Sequence, residues 1–131
     1  MTDAAARLRA MGDEKFVRLT TFRRTGEPVH TAVWIARDGE RLLVTTGADS
    51  GKIKRLKHSP RVELTPCDRS GTVVTGAAAA TGAGLVDPSP ATRSVLNKVM
   101  GKKYGLLFQV FRIVAGFRGS EKVTAVVIRP V

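Results

Sequence analysis

The chain has 131 residues, 43% of them hydrophobic and 25% charged, a composition typical of one folded domain that excludes a disordered chain. Its single cysteine excludes an internal disulfide, and no apolar run approaches the ~20 residues that cross a bilayer. We therefore expect one cytoplasmic domain over residues 1–131, without a membrane span or signal peptide. Its net charge of +11 predicts an anionic partner, which is nucleic acid, an acidic membrane surface or a polyanionic small molecule.

The first part of the chain predicts a helix followed by three strands. Residues 4–11 favour a helix that ends at Gly12. Residues 15–22 and 29–36 are rich in aromatic and β-branched side chains, which is typical of strands. Asp38-Gly39 predicts a tight hairpin into a third strand over 41–46, because a primed turn needs positive φ at both central residues.

The rest of the chain predicts three more strands and further helices. A short basic helix is expected over 52–58, then a strand over 61–65, a turn over 68–71 and a long strand over 72–86 that contains three glycines suggestive of bends. A helical region follows Pro88, and a strand over 122–129 closes the chain. An apolar stripe on the late helices comprises Leu106, Leu107, Val110, Phe111 and Val114. This order predicts a mainly β protein, an antiparallel barrel with peripheral α-helices.

No group of side chains predicts catalysis or metal binding. His30 and His58 are 28 residues apart, and neither has a metal-ligand companion at helical spacing. Cys67 lacks the matching histidine motif of a thiol nucleophile and is expected to be an ordinary small residue of the interior.

The segment from Thr45 to Arg55 has the chemistry of an anion site. A strand ends in two hydroxyls and a loop enters a helix through Ser50-Gly51-Lys52, where unpaired amides face outward. Lys52 and Arg55 stand three residues apart and share one helix face. The alternative is a surface helix with solvated lysines, and the local sequence favours neither.

Three stretches resemble the flavin and deazaflavin split-barrel family, which includes pyridoxamine 5′-phosphate oxidase. They are PVHTAVW (28–34), LLVTTGADSGK (42–52) and LKHSPRV (56–62). The similarity is greatest to the branch of actinobacterial oxidoreductases that use the deazaflavin coenzyme F420. The resemblance implies a six-stranded antiparallel split β-barrel (the FMN-binding split barrel) that forms a homodimer, with the cofactor in a groove between protomers.

The resemblance also implies a cofactor-binding set. The phosphate would be bound on the strand end, the loop and the helix; Val33 and Trp34 would lie under the ring system. The phosphate-binding positions are Thr45, Thr46, Ser50, Gly51 and Lys52, with Arg55 as an addition. Thr31 stands where the flavin-binding oxidases have a phosphate-binding arginine, which disfavours FMN.

The charge of the basic residues also favours a polyanionic cofactor. Coenzyme F420 has a phosphodiester and a tail of glutamates, which would serve as a common partner of Lys54, Arg55, Lys57, Lys102 and Lys103. The expected reaction is hydride transfer between this cofactor and a small molecule with an activated double bond or a quinone-like ring. No catalytic side chain is expected, because the cofactor supplies the chemistry.

Three other functions compete with this reductase. One is binding of FMN or of a tetrapyrrole, biliverdin or haem. Another is cofactor binding without catalysis. The third, from a different class, is nucleic-acid binding, but five phenylalanines, one tyrosine and one tryptophan leave few aromatic platforms for bases. We therefore expect no specific nucleic-acid partner.

Overall fold

The computed structural model describes residues 3–48, 50–110 and 123–131. Its helices are α1 (Asp3–Ala10), α2 (Gly51–His58) and α3 (Pro90–Tyr104), with a 3-10 turn at Met11–Asp13 and further helical residues at 106–110. Its strands are β1 (Val17–Phe22), β2 (Pro28–Val33), β3 (Ile35–Asp38), β4 (Arg41–Gly47), β5 (Arg61–Pro66), β6 (Ala80–Asp87) and β7 (Val123–Arg129). Phe111, Val114 and Lys122, which belonged to predicted elements, lie outside these residues.

The strands form one antiparallel sheet in the order β2-β1-β5-β6-β7-β4-β3. Although β2 and β3 are consecutive in the chain, they lie at opposite edges of this sheet, and only Trp34 separates them. The sheet must therefore curl until its two edges meet at Trp34. The chain has the split-barrel fold that the family resemblance implies.

The strand count differs from the prediction at this same point. The predicted strand over 29–36 is two strands, because the chain changes its pairing partner at Trp34. Val33 pairs with Val17 of β1, whereas Ile35 pairs with Val44 of β4. The described residues thus form seven strands where six were expected.

Strands β4 and β7 run through the middle of the core and are buried on both faces. Val44 and Val126 face the barrel interior beneath α1 and α2, whereas Leu43 and Val127 face α3 on the other side. Successive side chains of a strand point to opposite faces. The nearly continuous apolar runs of β4 and β7 follow from having helices against both faces.

The long strand predicted over 72–86 is wrong in its first half. Gly76 has a φ of 79°, and the amide of Ala77 donates to the carbonyl of Val74, so the chain turns there. Only an isolated bridge joins Val73 to Cys67 before β6 begins at Ala80. Positive φ favours glycine and interrupts a strand.

Two glycines of β6 allow the helices to approach the sheet closely. A Cβ atom on Gly84 would lie 3.1 Å from Val62 and 3.2 Å from Leu56 of α2. A Cβ atom on Gly82 would lie 3.1 Å from Leu8 of α1. These glycines serve helix packing in a regular strand, rather than the bends that the sequence suggested.

We expect Gly84→Ala to lower the free energy of unfolding by about 1–3 kcal/mol, the usual cost of forcing a methyl group into a packed core. Gly101→Ala is the matched control. Its Cβ would meet nothing closer than 3.5 Å inside α3, so it should raise stability by up to about 1 kcal/mol through helix propensity. Urea unfolding of both variants measures the difference, and equal effects would contradict the packing argument.

Candidate functional site

A cavity of about 370 Å³ lies where the joint between β2 and β3 meets the end of β4 and the start of α2. Its lining combines apolar side chains with hydroxyls and cations, and no acidic residue is among them. The lining residues are Phe16, Ala32, Val33, Trp34, Thr45, Thr46, Gly47, Lys52 and Arg69. Five of the nine residues predicted to bind the cofactor therefore surround one space.

The first turn of α2 begins beside this cavity without a side-chain cap. The hydroxyl of Ser50, the residue before the helix, lies 3.3 Å from the Thr46 hydroxyl and makes no capping hydrogen bond. The first amides of a helix lack intrahelical partners and are suited to bind anions. Ser50 thus belongs to the site through Thr46, although it does not line the cavity.

Lys52 brings a positive charge to the cavity with no carboxylate to balance it. The side chain is half-buried, and burial lowers the pKa of Lys52, with a further lowering from the nearby Arg55. Within the described residues Lys52 forms no ion pair. An anion in the cavity would compensate for both effects.

Arg55 lies across the start of α2 rather than in the cavity lining. Its Nε donates to the hydroxyl of Thr21 at 2.6 Å. A Cβ on Gly51 would be 2.7 Å from Nη1 of Arg55, so a glycine there makes room for the guanidinium. Burial lowers the pKa of Arg55, and the charge of Arg23 adds to this. Thr31 of β2 pairs with Leu19 of β1 and is likewise not among the lining residues.

Trp34 forms one wall of the cavity and is held by aromatic packing from behind. Its ring stacks on Tyr104 with 4.8 Å between centroids and 13° between planes, and Phe108 packs at 6.2 Å. The Tyr104 hydroxyl donates its one proton to the carbonyl of Lys15 at 2.7 Å, lies 3.0 Å from the carbonyl of Ile35, and accepts from the Ile35 amide. The end of α3 therefore sets the position of Trp34.

Lys103 makes an equivalent set of bonds to the backbone. Its Nζ donates to the carbonyls of Gly12, Glu14 and Ile35 at 2.5–2.8 Å. Burial lowers the pKa of Lys103. An ammonium group has three donors, and these three carbonyls use all of them. The expectation that Lys103 contacts an anionic tail is therefore wrong.

Arg69 lines the cavity and was not among the predicted site residues. It lies in a turn held by Asp68, whose carboxylate accepts from the amides of Ser70 and Thr72 and from the Ser70 hydroxyl. These bonds lower the pKa of the Asp68 carboxyl. The sequence showed a turn at these positions, but no local signal indicates that the turn folds over the end of β2.

The part of the chain that the structure describes contains neither a candidate metal site nor a helix that could span a membrane. No three His, Cys, Asp or Glu side chains there lie together as a metal site requires. None of the helices there is long and apolar enough to cross a membrane.

Comparison with known families gives a match over residues 1–128 to the family described as pyridoxamine 5′-phosphate oxidase. None of the curated proteins compared with the chain matches it.

Solved structures of several differently described proteins share the fold. An FMN-binding protein related to pyridoxamine 5′-phosphate oxidase from Nostoc punctiforme is 15% identical, with a TM-score of 0.60, covering 98% of this chain and 76% of that one. The haem storage protein HutZ from Vibrio cholerae is 15% identical, with a TM-score of 0.66 and coverage of 96% and 89%. An F420 reductase is 21% identical, with a TM-score of 0.57 and coverage of 94% and 92%. At these identities the likeness shows the fold alone.

Proposed function

Because the chain belongs to the pyridoxamine 5′-phosphate oxidase family, we propose that it is an oxidoreductase that binds a flavin-type cofactor in the 370 Å³ cavity. The observation that carries this proposal is the half-buried Lys52, a cation without a carboxylate partner beside the uncapped first turn of α2. A phosphate group supplies the negative charge that this arrangement lacks.

The lining residues divide into a polar end and an apolar end. Thr45, Thr46 and Lys52 provide hydroxyl and ammonium donors for the phosphate, with Ser50 next to them. Val33 and Trp34 provide an apolar surface for the ring system. The chain's own residues thus bind the cofactor at two ends and hold its ring against a wall whose position α3 sets.

We further propose that this cofactor is the deazaflavin coenzyme F420 rather than FMN. Helix α2 contains Lys54 and Lys57 beyond the phosphate site and no acidic residue, which suits a phosphodiester followed by a tail of glutamates. Thr31 supplies no guanidinium at the position used by flavin oxidases. Arg69 brings a guanidinium to the cavity from another loop, so Lys52 and Arg69 already balance the charge of a single phosphate. Lys54 and Lys57 are then available for the carboxylates of the tail.

When bound, a deazaflavin supplies hydride transfer, here to or from a small molecule with an activated double bond or a quinone-like ring. The protein's part is to orient the ring on Val33 and Trp34 and to leave the opposite face for that substrate. No side chain of the described lining is required to move a proton in this scheme. None of the described lining residues is a His, Cys or Met, the side chains that would commonly hold a haem iron.

We also propose that the protein works as a cytoplasmic homodimer. Leu106 is 79% exposed, Val110 48% and Leu107 47%, which is unusual for large apolar side chains so close together in the chain. The cavity is open on one side, so a second protomer would complete its wall.

Sedimentation equilibrium at micromolar concentration should give about twice the chain mass of 14.1 kDa. An obligate homodimer commonly buries more than about 2,000 Å² in total, so dilution should not dissociate it easily. A species of one chain mass alone would contradict the proposal, because the cavity would then be incomplete.

Lys52→Ala should weaken the binding of coenzyme F420 by about 1.5–3 kcal/mol, the usual range for a hydrogen bond to a charged group. Lys57→Ala is the matched control, since Lys57 lies on the same helix but does not line the cavity. It should lose less, and its loss should disappear at high salt. Calorimetric titration measures both variants, and equal binding by the two would exclude Lys52 as the phosphate ligand.

A further inference from the structure

A second basic cavity lies at the opposite end of α2 from Lys52. It has a volume of about 480 Å³ and is formed where the turn between β1 and β2, the end of α2 and the start of β5 meet. Its charged and polar lining residues are Arg23, Arg24, His58, Ser59 and Arg61. It shares no lining residue with the cavity at Lys52, and His58 lies about 9 Å further along the helix axis.

The turn between β1 and β2 presents two arginines to this cavity. The amide of Gly26 donates to the carbonyl of Arg23, and Gly26 has a φ of 89°, which makes the turn tight. In the part of the chain that the structure describes, neither Arg23 nor Arg24 forms an ion pair. Both guanidinium charges therefore lack a carboxylate.

Arg24 is oriented by His58. Its Nε and Nη2 lie 3.2 and 3.0 Å from Nε2 of His58. A guanidinium has no acceptor, so Nε2 of His58 is the acceptor in both contacts. This leaves the remaining donors of Arg24 for another partner.

Arg61 is fixed in a different way on the far wall. Its guanidinium lies 4.8 Å from the centre of the Phe22 ring, a cation–π distance, and it pairs with Glu63 at 2.7 Å. Counting Arg23, Arg24, Arg61 and Glu63, the cluster has two uncompensated positive charges. The C-terminal end of a helix attracts cations, but the last turn of α2 already contains Arg55 and Lys57, and the arginines of the cavity come from other elements.

We propose that this cavity, named here the arginine pocket (Arg23, Arg24, His58 and Arg61), is a binding site for a multiply charged oxyanion. Arginine forks match phosphate and carboxylate oxygens, and several converging forks select for more than one negative charge. The arginine pocket shares no lining residue with the cavity at Lys52, so variants can test the two sites separately.

The two histidines of the chain allow a direct test, because His58 lines the pocket and His30 does not. Imidazole NMR signals are followed while pyrophosphate, or citrate, is added at constant ionic strength. We expect the His58 signal to shift and saturate with at least one anion, while the His30 signal stays in place. Saturation with pyrophosphate alone identifies a phosphate site, and with citrate alone a carboxylate site.

Three variants locate the binding. Arg23→Gln should weaken it about tenfold, the loss expected for one charge-assisted hydrogen bond. Arg7→Gln removes the same charge from an exposed position on α1 and should change nothing. Lys52→Ala should also leave the His58 titration intact. The proposal is overturned if neither anion gives saturation, if potassium chloride gives the same shift, or if Lys52→Ala abolishes the response. A His30 signal at the chemical shift of the parent protein shows that each variant is folded.

Discussion

The structure depends on how the chain passes from one edge of the sheet to the other at Trp34. Because the chain changes its pairing partner there, the strand hydrogen bonds are interrupted between Val33 and Ile35. The end of α3 stabilises this segment instead. Lys103 donates to the carbonyls of Gly12, Glu14 and Ile35, and the Tyr104 hydroxyl accepts from the Ile35 amide and donates to the Lys15 carbonyl. Because the Tyr104 ring also stacks on Trp34, the contact that closes the barrel positions a wall of the candidate site.

The second constraint is electrostatic. The positive residues of α2 have few acidic neighbours: the ion pairs of the described residues involve Arg9, Arg37, Arg41 and Arg61, and none involves α2. Burial lowers the pKa values of Lys52 and Arg55 at the helix start. Bound anions stabilise such charges, so the excess of +11 has a local explanation along this helix.

The sequence predicted those parts of the molecule whose cause is local. The hairpin between β3 and β4 and the helix α2 follow from turn chemistry and side-chain type, and both are confirmed. The expected positive φ at both central residues of the turn is wrong, because among Asp38, Gly39 and Glu40 only Gly39 has it. The break at Trp34 could not be predicted, because residues 29–36 all favour a strand and the change of partner depends on β1 and β4. Arg69 and Lys103 were missed or misassigned for the same reason. The contacts of Lys103 span 68 to 91 residues of sequence.

Trp34 is the one tryptophan of the chain and forms a wall of the candidate cavity, so its fluorescence reports binding at that place. The most direct test of the proposed function is a set of parallel titrations with coenzyme F420, FMN, haem and biliverdin. The account predicts saturable quenching by F420, weakened as salt rises, with FMN competing poorly. Saturable quenching by FMN or a tetrapyrrole without any response to F420 would contradict it.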